Sequence, residues 1–127
     1  MPLSGLRILV VEDEILIALD AEQMLRNAGA SEVVICSRSD FDQTLRAHKF
    51  DMVLVDTGAD TTHVDADIAR VARTGARIAF TTSDIQLVAG LAGYEGIRFI
   101  AKPYDERHLH ALVEVLRSGQ GEAGAAS

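Results

Sequence analysis

The stretch RILVVEDE, residues 7–14, is a short β-branched run that passes directly into three acidic residues. Its first part, Arg7–Val11, is nearly all apolar, which is typical of a strand covered on both faces, as in a parallel sheet. Four further runs of this kind follow along the chain, at Glu32–Cys36, Met52–Asp56, Arg77–Thr81 and Ile97–Ala101.

Between these runs, apolar residues recur at helical spacing. The segments with this pattern are Ile17–Ala28, Ser39–His48, Val64–Ala72, Ile85–Ala92 and Leu109–Leu116, of which the second is the weakest. Five alternating strand–helix units predict an α/β domain with a doubly wound parallel sheet and helices on both faces. We expect this domain to span residues 1–118 and the Gly/Ala/Ser-rich tail 119–127 to be disordered.

Composition limits the classes of function. The 127 residues fit one domain, and 48% apolar with 24% charged residues is ordinary for a soluble globular protein. A net charge of −7 argues against a nucleic-acid-binding surface. No apolar stretch approaches the ~18 residues of a membrane span, and the N-terminus lacks a signal-peptide pattern. The single cysteine, Cys36, predicts a buried thiol in a reducing compartment, so we expect a cytoplasmic protein with neither a nucleic-acid nor a membrane partner.

Polar residues follow alternate strands, and the carboxyl ends of parallel strands share one edge of the sheet. Glu12 and Asp13 follow the first run, and Asp56 ends the third. Three neighbouring carboxylates repel one another unless a cation is present, and Mg²⁺ suits such oxygen ligands. A carboxylate can also attack a phosphoryl donor, with Lys102 and Thr82 offering a positive charge and a hydroxyl donor. This edge therefore predicts a magnesium-dependent phosphoryl-transfer site.

These segments, in this order, resemble the receiver domain of two-component response regulators over Leu6–Arg117. The matching motifs are residues 8–14 (ILVVEDE), residues 53–56 (VLVD), a threonine after the fourth strand, and residues 99–103 (FIAKP). The resemblance implies a flavodoxin-like three-layer (βα)5 fold with strand order 2-1-3-4-5. It also implies that Asp56 takes a phosphoryl group from a histidine kinase or histidine phosphotransfer protein.

The resemblance implies roles for the other residues of the edge. Asp13 and Asp56 would bind Mg²⁺ directly, Glu12 through water, and Gly58 through its backbone carbonyl. Lys102 would bond a phosphate oxygen, next to a cis peptide before Pro103.

The same resemblance implies a two-state switch. Thr82 would turn toward the aspartyl phosphate, and Phe99 would swing inward into the space left behind. The face made by the fourth helix, fifth strand and fifth helix would then signal to a downstream protein. The oligomeric state implied is a monomer or a phosphorylation-dependent dimer, and the domain would phosphorylate and dephosphorylate itself without being a turnover enzyme.

The sequence departs from the receiver pattern after the phosphoacceptor. Asp60 stands where receivers often carry proline, and residues 57–62 are small and polar, which affects the loop that supplies the Gly58 carbonyl. The Thr81-Thr82-Ser83 run leaves open which of these hydroxyl residues occupies the switch position. Thr82 is the preferred switch residue because five strand residues precede it and Ser83 fits the small residue that normally follows.

Structural roles compete with some of these assignments. Glu12, Asp13 and Glu14 fit the first turn of a helix, and Phe99 fits a partly buried core aromatic. Ser83 and Asp105 fit helix caps. We interpret the remaining acids that follow the third strand as a solvated face: Asp60, Asp65 and Asp67.

Three hypotheses for the function remain. The first is a single-domain receiver without an attached output module, or alternatively the receiver of a hybrid kinase. The second is a pseudo-receiver that binds protein partners without phosphorylation. The third is a phosphatase of the haloacid-dehalogenase type, which would need a second Asp where this chain has Gly58.

Overall fold

A computed structural model of the chain describes residues 5–58, 60–89, 93 and 95–118. Its sheet has five parallel strands in the order β2-β1-β3-β4-β5. The strands are β1 (Arg7–Val11), β2 (Glu32–Cys36), β3 (Met52–Gly58), β4 (Arg77–Thr82) and β5 (Arg98–Ala101). The predicted α/β fold and strand order are confirmed. The tail 119–127, predicted to be disordered, lies outside the described residues.

Four α-helices connect and cover the strands in the part of the chain that the structure describes. They are α1 (Ile15–Asn27), α2 (Phe41–Ala47), α3 (Val64–Ala72) and α4 (Glu106–Arg117). A short 3-10 helix, Arg38–Asp40, precedes α2. No helix among the described residues is long and apolar enough to cross a membrane.

The helix predicted for Ile85–Ala92 is wrong in its type. The segment forms a 3-10 helix over Ile85–Ala89, and residues 90–92 lie outside the described part. The sequence gives a reason, because glycines at 90, 93 and 96 each cost about 1 kcal/mol relative to alanine inside a helix. The Asp84 carboxylate, rather than the predicted Ser83, caps this turn by accepting a hydrogen bond from the backbone of Gln86.

The sheet separates two apolar layers, because successive strand residues point to opposite faces. Ile8 and Val10 of β1 belong to a buried cluster with residues of α1 and α4. Leu9 and Val11 belong to a second cluster with residues of α2, α3 and the 3-10 helix Ile85–Ala89. We call these the α1/α4 layer and the α2/α3 layer. Both end at the carboxyl edge of the sheet, where the predicted site lies.

A β-bulge distorts the carboxyl end of β3. Asp56 pairs with Thr81 of β4, the next pair is Gly58 with Thr82, and Thr57 is the extra residue between them. Gly58 has φ +60°, a backbone conformation that glycine adopts without a steric penalty. The bulge carries β3 two residues beyond its predicted end at Asp56 and sets which residues of β4 lie beside Asp56.

The connection from β5 to α4 is fixed at both ends. The Lys102–Pro103 peptide is cis, as predicted. Asp105 caps α4 through a reciprocal pair: its carboxylate accepts from the His108 backbone, and the His108 ring accepts from the Asp105 backbone. The predicted Asp105 cap is confirmed.

Cys36, predicted to be buried, is half-buried, and burial raises the pKa of its thiol.

Candidate functional site

The carboxyl edge brings together side chains from three strand ends. Glu12 follows β1, Asp56 lies near the end of β3, and Lys102 follows β5. The Lys102 ammonium nitrogen lies 2.9 Å from Asp56 Oδ1 and 3.4 Å from Glu12 Oε1. Asp13 follows Glu12 at the same edge. We call Glu12, Asp13 and Asp56 the acidic site.

The charges of the acidic site depend on one another. Glu12 is only 7% exposed, and burial together with the charge of Asp56 raises the pKa of its carboxyl above the ordinary value. A hydrogen bond from the Glu14 backbone and the charge of Lys102 oppose that rise. Burial acts to lower the pKa of Lys102, but its hydrogen bonds and charge interactions with Asp56 and Glu12 outweigh it, so the pKa is raised. Lys102 therefore stays cationic at neutral pH.

The Asp56 carboxylate is held through one of its two oxygens. Oδ1 accepts from Lys102 Nζ at 2.9 Å, from the Gly58 backbone at 3.0 Å and from the Thr81 hydroxyl at 3.2 Å. For Oδ2, no donor is found within the described ranges. Three donors therefore orient the carboxylate through one of its oxygens.

The two adjacent threonines of β4 have different partners. Thr81 donates its hydroxyl to Asp56, opposite which it lies in the sheet register. Thr82, the predicted switch residue, is fully buried and donates its hydroxyl to the Gly58 carbonyl at 2.6 Å. The Thr82 hydroxyl also accepts from the Asp84 backbone at 3.0 Å. The structure thus places the hydroxyl of Thr81, and not that of Thr82, on the Asp56 carboxylate, because the bulge sets Asp56 level with Thr81.

The Gly58 carbonyl, predicted to be a metal ligand, is directed toward β4. Its oxygen accepts from the Thr82 hydroxyl at 2.6 Å and the Ser83 backbone at 3.0 Å, and the Thr57 hydroxyl lies 3.1 Å from it and 3.0 Å from the Thr81 carbonyl oxygen. A carbonyl oxygen has two lone pairs, so these donors occupy its accepting capacity. In this conformation Gly58 contributes its backbone N–H to the site, through the bond to Asp56.

Sequence reasoning missed Arg38, which follows β2. Its backbone N–H donates to Asp13 Oδ1 at 2.8 Å, and its guanidinium lies 3.5 Å from the Asp56 carbonyl oxygen. The same guanidinium forms a two-bond pair with Asp67, at 2.8 and 3.0 Å. The hydrogen bond that Arg38 donates to Asp67 is the main cause that raises the pKa of Arg38, and the charges of Asp13 and Asp56 act in the same direction.

Asp67 corrects the prediction of a solvated acidic face. Its side chain on α3 is 0% exposed and is bound by both Arg38 and Arg70. The sequence did carry a signal for this burial. Asp67 stands three residues after Val64 and four before Val71, so it lies on the buried stripe of α3. A carboxylate on such a stripe needs cationic partners, because an unpaired buried charge is strongly unfavourable.

Phe99 lies in the α2/α3 layer. It is 6% exposed and stacks on Phe80 with ring centroids 5.2 Å apart. The side chain is therefore already inside, in the kind of position that the predicted inward swing would reach. Its role as a switch stays a prediction.

The donor chemistry of the acidic site fits a hard divalent cation, since carboxylate oxygens are ligands that such an ion prefers. The side chains, however, are not arranged as a complete metal-binding site. Among the described residues, no three ligand-type side chains converge into a metal cluster. Lys102 and Arg38 instead contact Glu12, Asp56 and Asp13 through the bonds given above.

Compared by sequence, the chain matches no protein-family model and no curated protein. Solved structures do match its fold. The anti-anti-sigma factor PhyR of Bartonella quintana has a TM-score of 0.77 and 24% identity, over 95% of this chain and 51% of that one. The response regulator PhyR of Brucella abortus has a TM-score of 0.70 and 23% identity, over 95% and 51%.

A third match is a shorter chain, the response-regulator REC domain of Erythrobacter litoralis PhyR. It has a TM-score of 0.68 and 18% identity, and the match covers 93% of this chain and 90% of that one. The present chain thus spans about half the length of the first two proteins and nearly all of the isolated domain. The chain has the receiver-domain fold of response regulators.

Proposed function

We propose that the chain is a response-regulator receiver that accepts a phosphoryl group on Asp56. The observation that carries the proposal is the asymmetry of the Asp56 carboxylate. Three donors hold Oδ1, and Oδ2 has no donor among the described residues. A carboxylate held in this way presents one oriented oxygen as a nucleophile.

In the proposed transfer, Asp56 Oδ2 attacks the phosphorus of a phosphohistidine. The new O–P bond forms as the P–N bond breaks, and the leaving imidazole nitrogen takes a proton from solvent. Lys102, already 2.9 Å from Oδ1, is placed to neutralise charge on the phosphoryl oxygens. The Thr81 hydroxyl is the β4 donor nearest to this reaction. Thr82 would contribute only after releasing the Gly58 carbonyl.

Magnesium is the proposed cofactor. Asp13 and Asp56 would hold it directly and Glu12 through water, and when bound it would supply positive charge opposite the phosphoryl oxygens. The Gly58 carbonyl would join this ligand set only if its bonds to β4 were exchanged. Before the metal binds, Lys102 and Arg38 reduce the mutual repulsion of the three carboxylates.

The proposed phosphoryl donor is a histidine kinase or histidine phosphotransfer protein. Helix α1 begins directly after the acidic site, and its first turns expose three apolar side chains, Ile15, Leu16 and Leu19. Exposed large apolar residues beside a site are typical of a protein-docking surface. We propose that the donor contacts this part of α1 while its phosphohistidine reaches Asp56.

The proposed output is to a downstream protein, in a cytoplasmic signalling pathway and without substrate turnover. The 3-10 helix Ile85–Ala89 exposes Ile85 (76%) and Val88 (47%), next to β5. This helix, β5 and α4 form the proposed signalling face. One structural match is described as an anti-anti-sigma factor, so a partner of the anti-sigma type is a reasonable first candidate.

A second candidate function has its own observation. The Gly58 carbonyl is saturated by donors, and the Lys102 ammonium already contacts the carboxylates of Glu12 and Asp56. Both features would suit a pseudo-receiver that binds proteins without phosphorylation. The retention of Asp13, Asp56 and Lys102 in one place favours the phosphoacceptor.

The deciding experiment treats the protein with a small phosphoryl donor, acetyl phosphate or phosphoramidate, with and without Mg²⁺. We expect intact-protein mass spectrometry to show one added phosphoryl group that requires Mg²⁺ and disappears in Asp56→Asn. Asp60→Asn, on the exposed loop after β3, is the matched control and should be labelled like the wild type. An unlabelled wild-type protein would favour the pseudo-receiver, and a labelled Asp56→Asn variant would show that another residue accepts the phosphoryl group.

A further inference from the structure

Arg38 connects the acidic site to the inside of the α2/α3 layer. Its backbone N–H holds Asp13 at 2.8 Å, and its guanidinium lies 3.5 Å from the main chain of Asp56. Both metal-ligand candidates on neighbouring strands are therefore contacted by one residue from a third strand end.

The buried partner of Arg38 keeps the guanidinium in place. Asp67 is fully buried and accepts two hydrogen bonds from Arg38, and Arg70 contacts the same carboxylate at 3.2 Å. A planar two-bond pair of this kind fixes both the position and the orientation of an arginine. The positive charge of Arg38 is thus held beside the acidic site by α3.

We propose that Arg38 is a positioning residue of the acidic site, whose fixed positive charge opposes metal binding and favours the arriving anionic phosphoryl group. The inference rests on the proposed function of the site. Arg38 does not bind the phosphoryl group in this account. It acts through Asp13 and through the main chain of Asp56, and through its field on both carboxylates.

The proposal predicts effects of opposite sign on cations and anions. Removing the charge should strengthen Mg²⁺ binding, because the ion no longer meets a neighbouring positive charge. It should weaken the binding of an anionic phosphate mimic for the same reason. A role confined to stabilising the fold would instead weaken both, since a loosened site holds any ligand less well. The sign of the Mg²⁺ effect therefore separates the two accounts.

The test compares Arg38→Gln, Arg38→Lys and Arg70→Gln with the wild type. Arg70→Gln is the matched control, because Arg70 contacts the same Asp67 oxygen but no residue of the acidic site in the described contacts. Mg²⁺ affinity is measured by isothermal titration calorimetry. Affinity for beryllium fluoride is measured at saturating Mg²⁺ by two-dimensional NMR.

We expect Arg38→Gln to bind Mg²⁺ about three- to tenfold more tightly and beryllium fluoride more weakly by a similar factor, as for loss of one partly screened charge. Arg38→Lys retains the charge and should stay within about twofold of the wild type in both affinities. Arg38→Lys also tests the proposal if Arg38→Gln fails to fold, because a large change in the affinities of Arg38→Lys would contradict a role based on charge. Arg70→Gln should leave both affinities unchanged.

Unchanged or weakened Mg²⁺ binding in Arg38→Gln would overturn the proposal while leaving the phosphoacceptor function intact. A wild-type protein that binds neither Mg²⁺ nor beryllium fluoride would reject the proposed function itself, and the role of Arg38 with it.

Discussion

The hydroxyl of Thr81 lies 3.2 Å from Asp56 Oδ1, whereas the hydroxyl of the next residue, Thr82, lies 2.6 Å from the Gly58 carbonyl oxygen. Two adjacent hydroxyls thus serve two different parts of the site. Thr81 orients the Asp56 carboxylate, and Thr82 holds the bulge of β3 against β4. The division follows from the sheet register, in which Asp56 pairs with Thr81 and Gly58 with Thr82.

Valine substitution should separate these two roles. Thr81→Val removes one donor from the Asp56 carboxylate, and we expect phosphoryl acceptance to slow about fivefold, the factor that corresponds to a hydrogen bond of about 1 kcal/mol. Thr82→Val leaves a buried carbonyl and the Asp84 N–H without that partner and should lower the free energy of unfolding by about 1–3 kcal/mol. Urea denaturation and phosphorylation by acetyl phosphate measure the two effects.

The opposite pattern, with acceptance lost mainly in Thr82→Val at unchanged stability, would show that Thr82 reaches the phosphoryl group during the reaction. That result would support the sequence-based choice of Thr82 as the switch residue.

Gly58→Ala should disturb the site without a steric clash. An added Cβ meets no atom within 4 Å, but the backbone φ is +60°. We expect a loss of about 1–2 kcal/mol in the free energy of unfolding, the cost of a left-handed conformation for an L-residue. Gly75→Ala is the control, with φ +84° and the same open space but no contact with the acidic site. Both variants should lose similar stability in urea denaturation, and only Gly58→Ala should alter Mg²⁺ affinity. Equal Mg²⁺ affinities would show that the bulge is irrelevant to the metal.

Asp67→Ala should be strongly destabilising. The substitution leaves two arginines without their shared buried carboxylate, and we expect a loss of about 3 kcal/mol in the free energy of unfolding. Glu32→Ala, at an exposed acid on β2, should change stability by less than about 0.5 kcal/mol. Chemical denaturation of both variants compares these losses. A loss at Asp67 no larger than at Glu32 would mean that the Arg38–Asp67 pair adds little to the fold.

Glu12 should make stability depend on pH when no divalent cation is present. Its pKa is raised above 4.5 in the folded protein, so the folded state binds more protons than the unfolded state between the two values. Stability should then fall as the pH rises from 4.5 through the raised pKa. We expect Glu12→Gln to lack this contribution and to gain stability relative to the wild type across that window. Thermal denaturation of both proteins in chelator at several pH values measures this difference in stability. Parallel curves of stability against pH for the two proteins would contradict the expectation.

Much of the fold was predictable because the apolar runs coincide with the buried strands. The bounds of β1 and β2 match the prediction, and the order of the sheet is the one that the resemblance to receiver domains implies. The predicted helix after β4 failed because apolar spacing at Ile85 and Val88 suggested a helix, although those residues are exposed and glycines follow them. Periodicity reports which residues share a face, but not whether that face is buried.

The site was predictable where strand ends determine position. Asp56, Glu12 and Lys102 meet as the parallel sheet requires. The sequence pattern could not show which of Thr81 and Thr82 contacts Asp56, because one extra residue in β3 shifts the register between β3 and β4. The Arg38–Asp67 pair joins residues 29 positions apart through orientations that only the folded chain defines.

The division of the core into two layers has a consequence for how such a chain can diverge. The α2/α3 layer contains the helix that anchors Arg38, and the α1/α4 layer lies beneath the exposed residues of α1. A central sheet stands between them, so substitutions that reshape one side need not be compensated on the other. Lineages could therefore change the exposed surface of α1, our proposed docking surface, while the residues around Asp56 are inherited with little change.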